Sequence, residues 1–168
     1  MKNILRILQL LLVTILSLPF SSCSDDEVIV TPTPTNNIEV TFTVNGGAYN
    51  NKTFTLTGGA ALYEPGDDLT GITFAGKDGT RDIGCVIGWA GTKTGTRSWR
   101  EYDAQDSASC GFTDGTSVFG SEIGTLSITE YGSVGGNIKG TFSGSFTLFL
   151  SKEVVSVTNG KFTVKRII

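Results

Sequence analysis

From residue 38 onward, apolar side chains recur at every second position. Val40, Phe42 and Val44 alternate with Glu39, Thr41 and Thr43, and Asn45-Gly46-Gly47 ends the run. Phe54 and Leu56 lie between Thr53, Thr55 and Thr57, before Gly58-Gly59. Ile72 and Phe74 are closed by Gly76 and Lys77-Asp78-Gly79, and Ile83, Cys85, Ile87 and Trp89 by Gly91. Leu126 and Ile128 form a further face. Ile138, Phe142, Phe146 and Leu148 share one parity, with Gly140 and Gly144 interleaved on it, and Val155, Val157, Phe162 and Val164 complete the series. A period of two sends successive side chains to opposite faces, so these runs read as half-buried strands. Asn159-Gly160, between two alternating runs, predicts a hairpin with a type I′ turn. No sustained 3.6-residue period appears after residue 22, so little or no helix is expected there. The fold class is all-β: an antiparallel β-sandwich of about 8–10 short strands, with a closed, lipocalin-like barrel as the alternative.

The N-terminal segment follows another pattern. Lys2 and Arg6 precede an apolar run from Ile7 to Leu18, broken only by Gln9, Thr14 and Ser17 and ended by Pro19. A membrane span needs about 20 apolar residues, so the layout reads as the helix of an export signal. Ser21-Ser22-Cys23 resembles the lipobox of bacterial lipoproteins, which implies that Cys23 is acylated and becomes the mature N-terminus. Phe20 stands where the lipobox usually has Leu. Ser24-Asp25-Asp26-Glu27 resembles the acidic export signal of Bacteroidota lipoproteins, the alternative being a solvated acidic linker. Pro32 and Pro34 favour extended backbone. The expected organisation is a lipoprotein signal peptide over 1–22, a tether over 23–37 and a β domain over 38–168. Its expected place is the outer membrane, lipid-anchored and exposed at the cell surface.

Removing residues 1–22 leaves 146 residues, enough for one domain with its own core. Eleven basic and sixteen acidic residues then remain, a net charge of −5. Basic residues neither dominate nor cluster, and Lys165-Arg166 is too short for a basic patch, so nucleic acid is not an expected partner. Histidine is absent, which removes Ser-His-Asp and Cys-His catalysis, imidazole metal sets and an imidazole pH switch. With Cys23 assigned to lipid, Cys85 and Cys110 remain. In an oxidising compartment they form either a bridge or two buried thiols packed as small hydrophobes.

Few constellations carry chemistry. Glu64, Asp67 and Asp68 share a loop with Pro65 and Gly66, a calcium corner or, more simply, a solvated turn. Thr96–Tyr102 is polar and lacks strand alternation. Arg97, Trp99 and Tyr102 are therefore candidate ligand-binding residues, with Trp99 as a stacking platform for a sugar or peptide. The competing reading folds the Trp99 ring onto the core. Trp89 fits the inward face of its strand. Asp106-Ser107-Ala108 resembles the O-glycosylation triplet of exported Bacteroidota proteins.

Gly124–Thr129 (GTLSIT), Ile138–Gly144 (IKGTFSG) and Val155–Phe162 (VSVTNGKF) together resemble small Bacteroidota surface lipoproteins of unknown function with a C-terminal β-sandwich domain. The resemblance covers the last 45 residues. It implies structural glycines, Phe142 and Phe162 in the core, and no catalytic residue. The expected function is a surface-anchored, non-enzymatic binding or structural module. Its membrane contact is the lipid anchor, its ligand is a glycan or a protein, and it needs no cofactor or metal. Two alternatives come from other classes: an extracellular glycan hydrolase using paired carboxylates, and a barrel holding an apolar ligand.

Overall fold

Alternating threonine and apolar residues favour extended backbone, because β-branched and aromatic side chains pack well on a pleated surface. The computed structural model describes residues 38–99 and 107–168. Among them ten strands follow in order: β1 (Glu39–Gly46), β2 (Tyr49–Leu56), β3 (Gly58–Glu64), β4 (Leu69–Asp78), β5 (Arg81–Ala90), β6 (Gly95–Trp99), β7 (Ser107–Thr113), β8 (Val118–Tyr131), β9 (Asn137–Leu148) and β10 (Val154–Lys165). They form one sheet in the order β2-β1-β10-β9-β8-β6-β7-β5-β4-β3, with β7 also paired to β8. The pairings are antiparallel except the short β6–β7 contact, Ser98 opposite Ser107 and Trp99 opposite Ala108.

The sheet curls until it is nearly closed, which leaves little of the unpaired edge that invites association. β3 meets the residues after β10 through an Ala61–Arg166 bridge and bonds from Ile167 N to the Ala61 carbonyl (3.0 Å) and from Tyr63 N to the Ile168 carbonyl (3.3 Å). The Arg166 guanidinium lies over the rings of both Tyr63 (5.6 Å) and Tyr131 (5.2 Å) and fastens this seam.

Opposite walls meet inside as the layers of a sandwich do. Phe42 on β1 reaches Phe112 on β7 at 5.4 Å, and Phe74 on β4 reaches Phe162 on β10 at 6.4 Å. Eight phenylalanines and two tryptophans are buried in this interior, so it is filled by rings. Burying each such side chain contributes about 1.5–3 kcal/mol, which makes these residues the main support of the fold.

The register gives the barrel two distinct ends. Gly46 faces Tyr49, Asp78 faces Arg81, Thr113 faces Val118, and Leu148 faces Phe119. The β1–β2, β4–β5, β7–β8 and β9–β10 connections therefore gather at one end, here called distal. Ile38, where the backbone enters β1, lies at the other. Glu39 pairs with Thr163 there, close to residues 65–68, 132–136 and 166–168.

Two local expectations are corrected. Asn159-Gly160 does not turn a hairpin, because β10 runs straight through it as one strand. Asn159 takes the left-handed conformation (φ 55°), and the register against β9 shifts between Val157 and Gly160, so the pair forms a bulge. The ring of Phe142 lies against Gly160, where an added Cβ would come within 2.7 Å of it. The second correction concerns Thr96–Tyr102, read as polar and lacking strand alternation. Its described residues, 96–99, belong to β6, with Arg97 and Trp99 pointing inward.

Candidate functional site

The distal end carries a cleft of about 260 Å³ lined by Ala48, Tyr49, Asn50, Lys52, Phe54, Asp78, Arg81 and Asp114. Three connections contribute. β1–β2 supplies the first five residues, β4–β5 brings Asp78 and Arg81, and β7–β8 brings Asp114.

Asp114 is the fixed point. Its Oδ1 accepts bonds from Thr116 N (3.0 Å), Thr116 Oγ1 (2.9 Å) and Ser117 N (2.8 Å), an Asx turn that the sequence Asp-Gly-Thr-Ser is suited to form. Its Oδ2 accepts the Tyr49 hydroxyl at 2.7 Å, joining two connections 65 residues apart in sequence. Burial pushes the Asp114 pKa up, but Tyr49 and the donors of its turn together outweigh burial and hold it at about 2. Tyr49 moves the opposite way. Burial raises its pKa well above the ordinary phenol value, and the bond to Asp114 and its negative charge raise it further. The pair is thus a permanent donor facing a permanent carboxylate.

Lys52 and Asp78 form the other ion pair, Nζ to Oδ2 at 2.9 Å and to Oδ1 at 3.0 Å, with Nζ 5.7 Å from the centre of the Phe54 ring. Both partners are 43% exposed, so the pair contributes at most about 1 kcal/mol and serves chiefly to fill each other's charge. Beside these committed groups stands Arg81, exposed, with no hydrogen bond or ion pair among the described residues.

Next to the cleft, the β9–β10 tip presents apolar side chains to solvent. Leu150 is 93% exposed, and Phe149, Val154 and Val118 are each about half exposed. Phe149 N bonds to the Val118 carbonyl (3.1 Å), which ties the tip to the start of β8.

The residues selected from sequence fall elsewhere. Trp99 is no exposed platform, being 3% exposed with its indole N–H donating to the Ser143 carbonyl at 3.0 Å and its ring edge-on to Phe146. The reason is strand parity: Arg97 and Trp99 share the inward face of β6. Arg97 is buried as well, with its guanidinium donating to the carbonyls of Lys93 (2.8 Å), Ala90 and Gly95 (3.4 Å each), so it staples the β5–β6 connection. Tyr102 lies outside the described residues, as do Cys23 and Ser24, Asp25, Asp26 and Glu27.

Cys85 and Cys110 are brought together on neighbouring strands. They are free thiols, both buried, and hydrogen-bonded to each other. Cys85 stands opposite Phe112 and Cys110 opposite Ile87, so the two are diagonal neighbours. Among the described residues no three His, Cys, Asp or Glu side chains gather as a metal site. At the calcium-corner loop, Asp68 instead accepts the Tyr63 hydroxyl at 2.8 Å. Ser107 is 1% exposed, which leaves its hydroxyl out of reach of glycosylation in the folded domain.

Tyr49, Arg81 and Asp114 were not singled out by sequence. The Asx turn was legible at Asp114, but its meeting with Tyr49 depends on sheet closure. Searches against known protein families, curated proteins and solved structures find no match to this chain.

Proposed function

We propose that this chain is an exported, lipid-anchored module that binds a ligand at its distal end and performs no catalysis. The observation that carries the reading is the position of the cleft. It lies at the end of the barrel opposite Ile38, the residue through which the domain would hang from an anchor at Cys23. A tethered module held in that way presents the cleft and the Leu150 tip outward, where connections carry recognition. The lipobox at Cys23 and the acidic run Ser24–Glu27 support the surface location.

The two alternatives have less support. A barrel for an apolar ligand needs a hollow interior, whereas rings from opposite walls fill this one. A glycan hydrolase needs one carboxylic acid that keeps its proton. Asp78 and Asp114 line the cleft together, but Asp114 is held ionised at about 2 and Asp78 spends both oxygens on Lys52.

The test places an epitope at Gly79, in the β4–β5 turn, where an added side chain meets nothing within 4 Å. Antibody should label intact cells, and Cys23→Ser should free the protein from membranes, since acyl chains anchor by about 0.8 kcal/mol per buried methylene. Labelling only after permeabilisation, or a Cys23→Ser protein that still sediments with membranes, overturns the reading.

A further inference from the structure

We infer that the distal cleft is a binding site for a carboxylated sugar, a uronic-acid type residue of a glycan, with the Arg81 guanidinium taking the carboxylate. The inference rests on the reading of this end as the binding end and names the ligand class for it.

The charges in the cleft are not equivalent. The Lys52 ammonium is held by both oxygens of Asp78, and the Asp114 carboxylate is saturated by Tyr49 and its own turn. Of the four charged side chains that line the cleft, Arg81 alone has no ion pair or hydrogen bond among the described residues. A guanidinium presents a planar fork of donors matched to a carboxylate, and its weak hydration makes such pairing favourable. The sign and size of the ligand charge follow from the neighbours. Lys52 offsets Asp78, which leaves the Asp114 carboxylate in the same cleft as Arg81, so a multiply charged phosphate or sulfate-rich group would meet one free cation and be repelled by the remaining anion. A single negative charge fits.

The remaining lining suits hydroxyl groups. Asn50 offers both a donor and an acceptor, and the Tyr49 oxygen, whose proton is spent on Asp114, is left as an acceptor. At about 260 Å³ the cleft lies below the usual range for drug-sized ligands and is the scale of one sugar ring. Its open, polar character also suits a unit within a longer chain that continues across the surface. The backbone around Arg81 is set for this. Gly115, at φ 87°, lets the β7–β8 turn close onto the β4–β5 turn, and an added Cβ there would come within 2.8 Å of the Asp82 carbonyl. That contact holds the Arg81 and Asp114 sides of the cleft at a set distance.

The experiment is calorimetric titration of the full-length protein with trigalacturonate, its methyl ester, cellotriose and a tripeptide with a free C-terminal carboxylate. Trigalacturonate should bind, and the methyl ester and cellotriose should bind at least tenfold more weakly. Arg81→Gln should lower trigalacturonate affinity at least tenfold with an unchanged melting temperature, because the side chain is exposed and unpaired. Arg81→Lys should retain part of it, since an ammonium keeps the charge and loses the fork. Equal binding of acid and methyl ester, indifference to Arg81→Gln, or preference for the tripeptide overturns the ligand class. So does an absence of trigalacturonate binding to the untagged protein when its Gly79-tagged counterpart is displayed on intact cells, and in that outcome the display reading stands.

Discussion

The indole N–H of Trp99 donates to the backbone carbonyl of Ser143 at 3.0 Å, across β8 from the strand that carries it. The contact is possible because Gly124 and Gly144 face each other on β8 and β9 beneath the ring. A Cβ at Gly124 would come within 2.5 Å of Trp99 Nε1, and one at Gly144 within 2.8 Å. Two glycines on an otherwise apolar parity therefore make a slot for an aromatic side chain, and the buried N–H is satisfied there rather than orphaned.

Trp99→Ala is expected to destabilise the domain by about 3–5 kcal/mol, the cost of truncating a buried aromatic. Gly144→Ala should also destabilise it, by on the order of 2 kcal/mol, because overpacking forces the ring out of its slot. Urea denaturation measures both. A Trp99→Ala protein as stable as wild type would place the ring outside the core.

The strand content was legible because core residues recur at every second position, between threonines from Val40 to Val44 and between Gly84, Val86 and Gly88 from Ile83 to Trp89. Closure of the sheet was not, since it depends on Ala61 meeting Arg166, residues with no local pattern in common. The site was legible only in part. Of the two readings of Trp99, the ring folded onto the core is the one that holds. Its strand went unrecognised because β6 is short and polar on its outer face, so two inward residues, Arg97 and Trp99, gave too little alternation. Asn159-Gly160 misled for a related reason. The left-handed conformation that serves a type I′ turn serves a bulge equally well, and only the pairing with β9 decides between them.

Asp114 ties the distal connections together, and its protonation should loosen them. Its folded pKa of about 2 lies below the ordinary 3.8. The stabilisation is therefore fully present above pH 3.8 and is lost as pH falls through 2. That difference corresponds to about 2 kcal/mol at neutral pH, and to less where solvent screens the turn. Asp114→Asn should lower the melting temperature at pH 7, and the gap to wild type should shrink between pH 4 and pH 2. A gap independent of pH would remove the charge from the account.

Tyr49→Phe deletes one charge-assisted bond while keeping the ring that packs edge-on to Phe54 and Phe119. The expected loss is about 1.5–3 kcal/mol, the range for a hydrogen bond to a charged group. The Asp114 pKa should rise, read by the carboxyl carbon shift in an NMR titration. An unmoved Asp114 titration would mean that the turn donors alone hold the carboxylate.

Cys85 and Cys110 should remain thiols that reagents reach slowly. Burial pushes the Cys110 thiol pKa up, and the hydrogen bond that its S–H donates to Cys85 and the charge of Cys85 push it further, so little thiolate exists at neutral pH. Their diagonal placement also disfavours a bridge. Diagonal neighbours on paired strands sit about 7–8 Å apart, near or beyond the roughly 7 Å limit for an unstrained disulfide. Iodoacetamide at pH 8 should leave both unlabelled in the native domain and label both once it is unfolded without reductant. A mass that rises by two hydrogens on reduction, with no labelling before it, would show that export closes the bridge and that β5 and β7 shift to allow it.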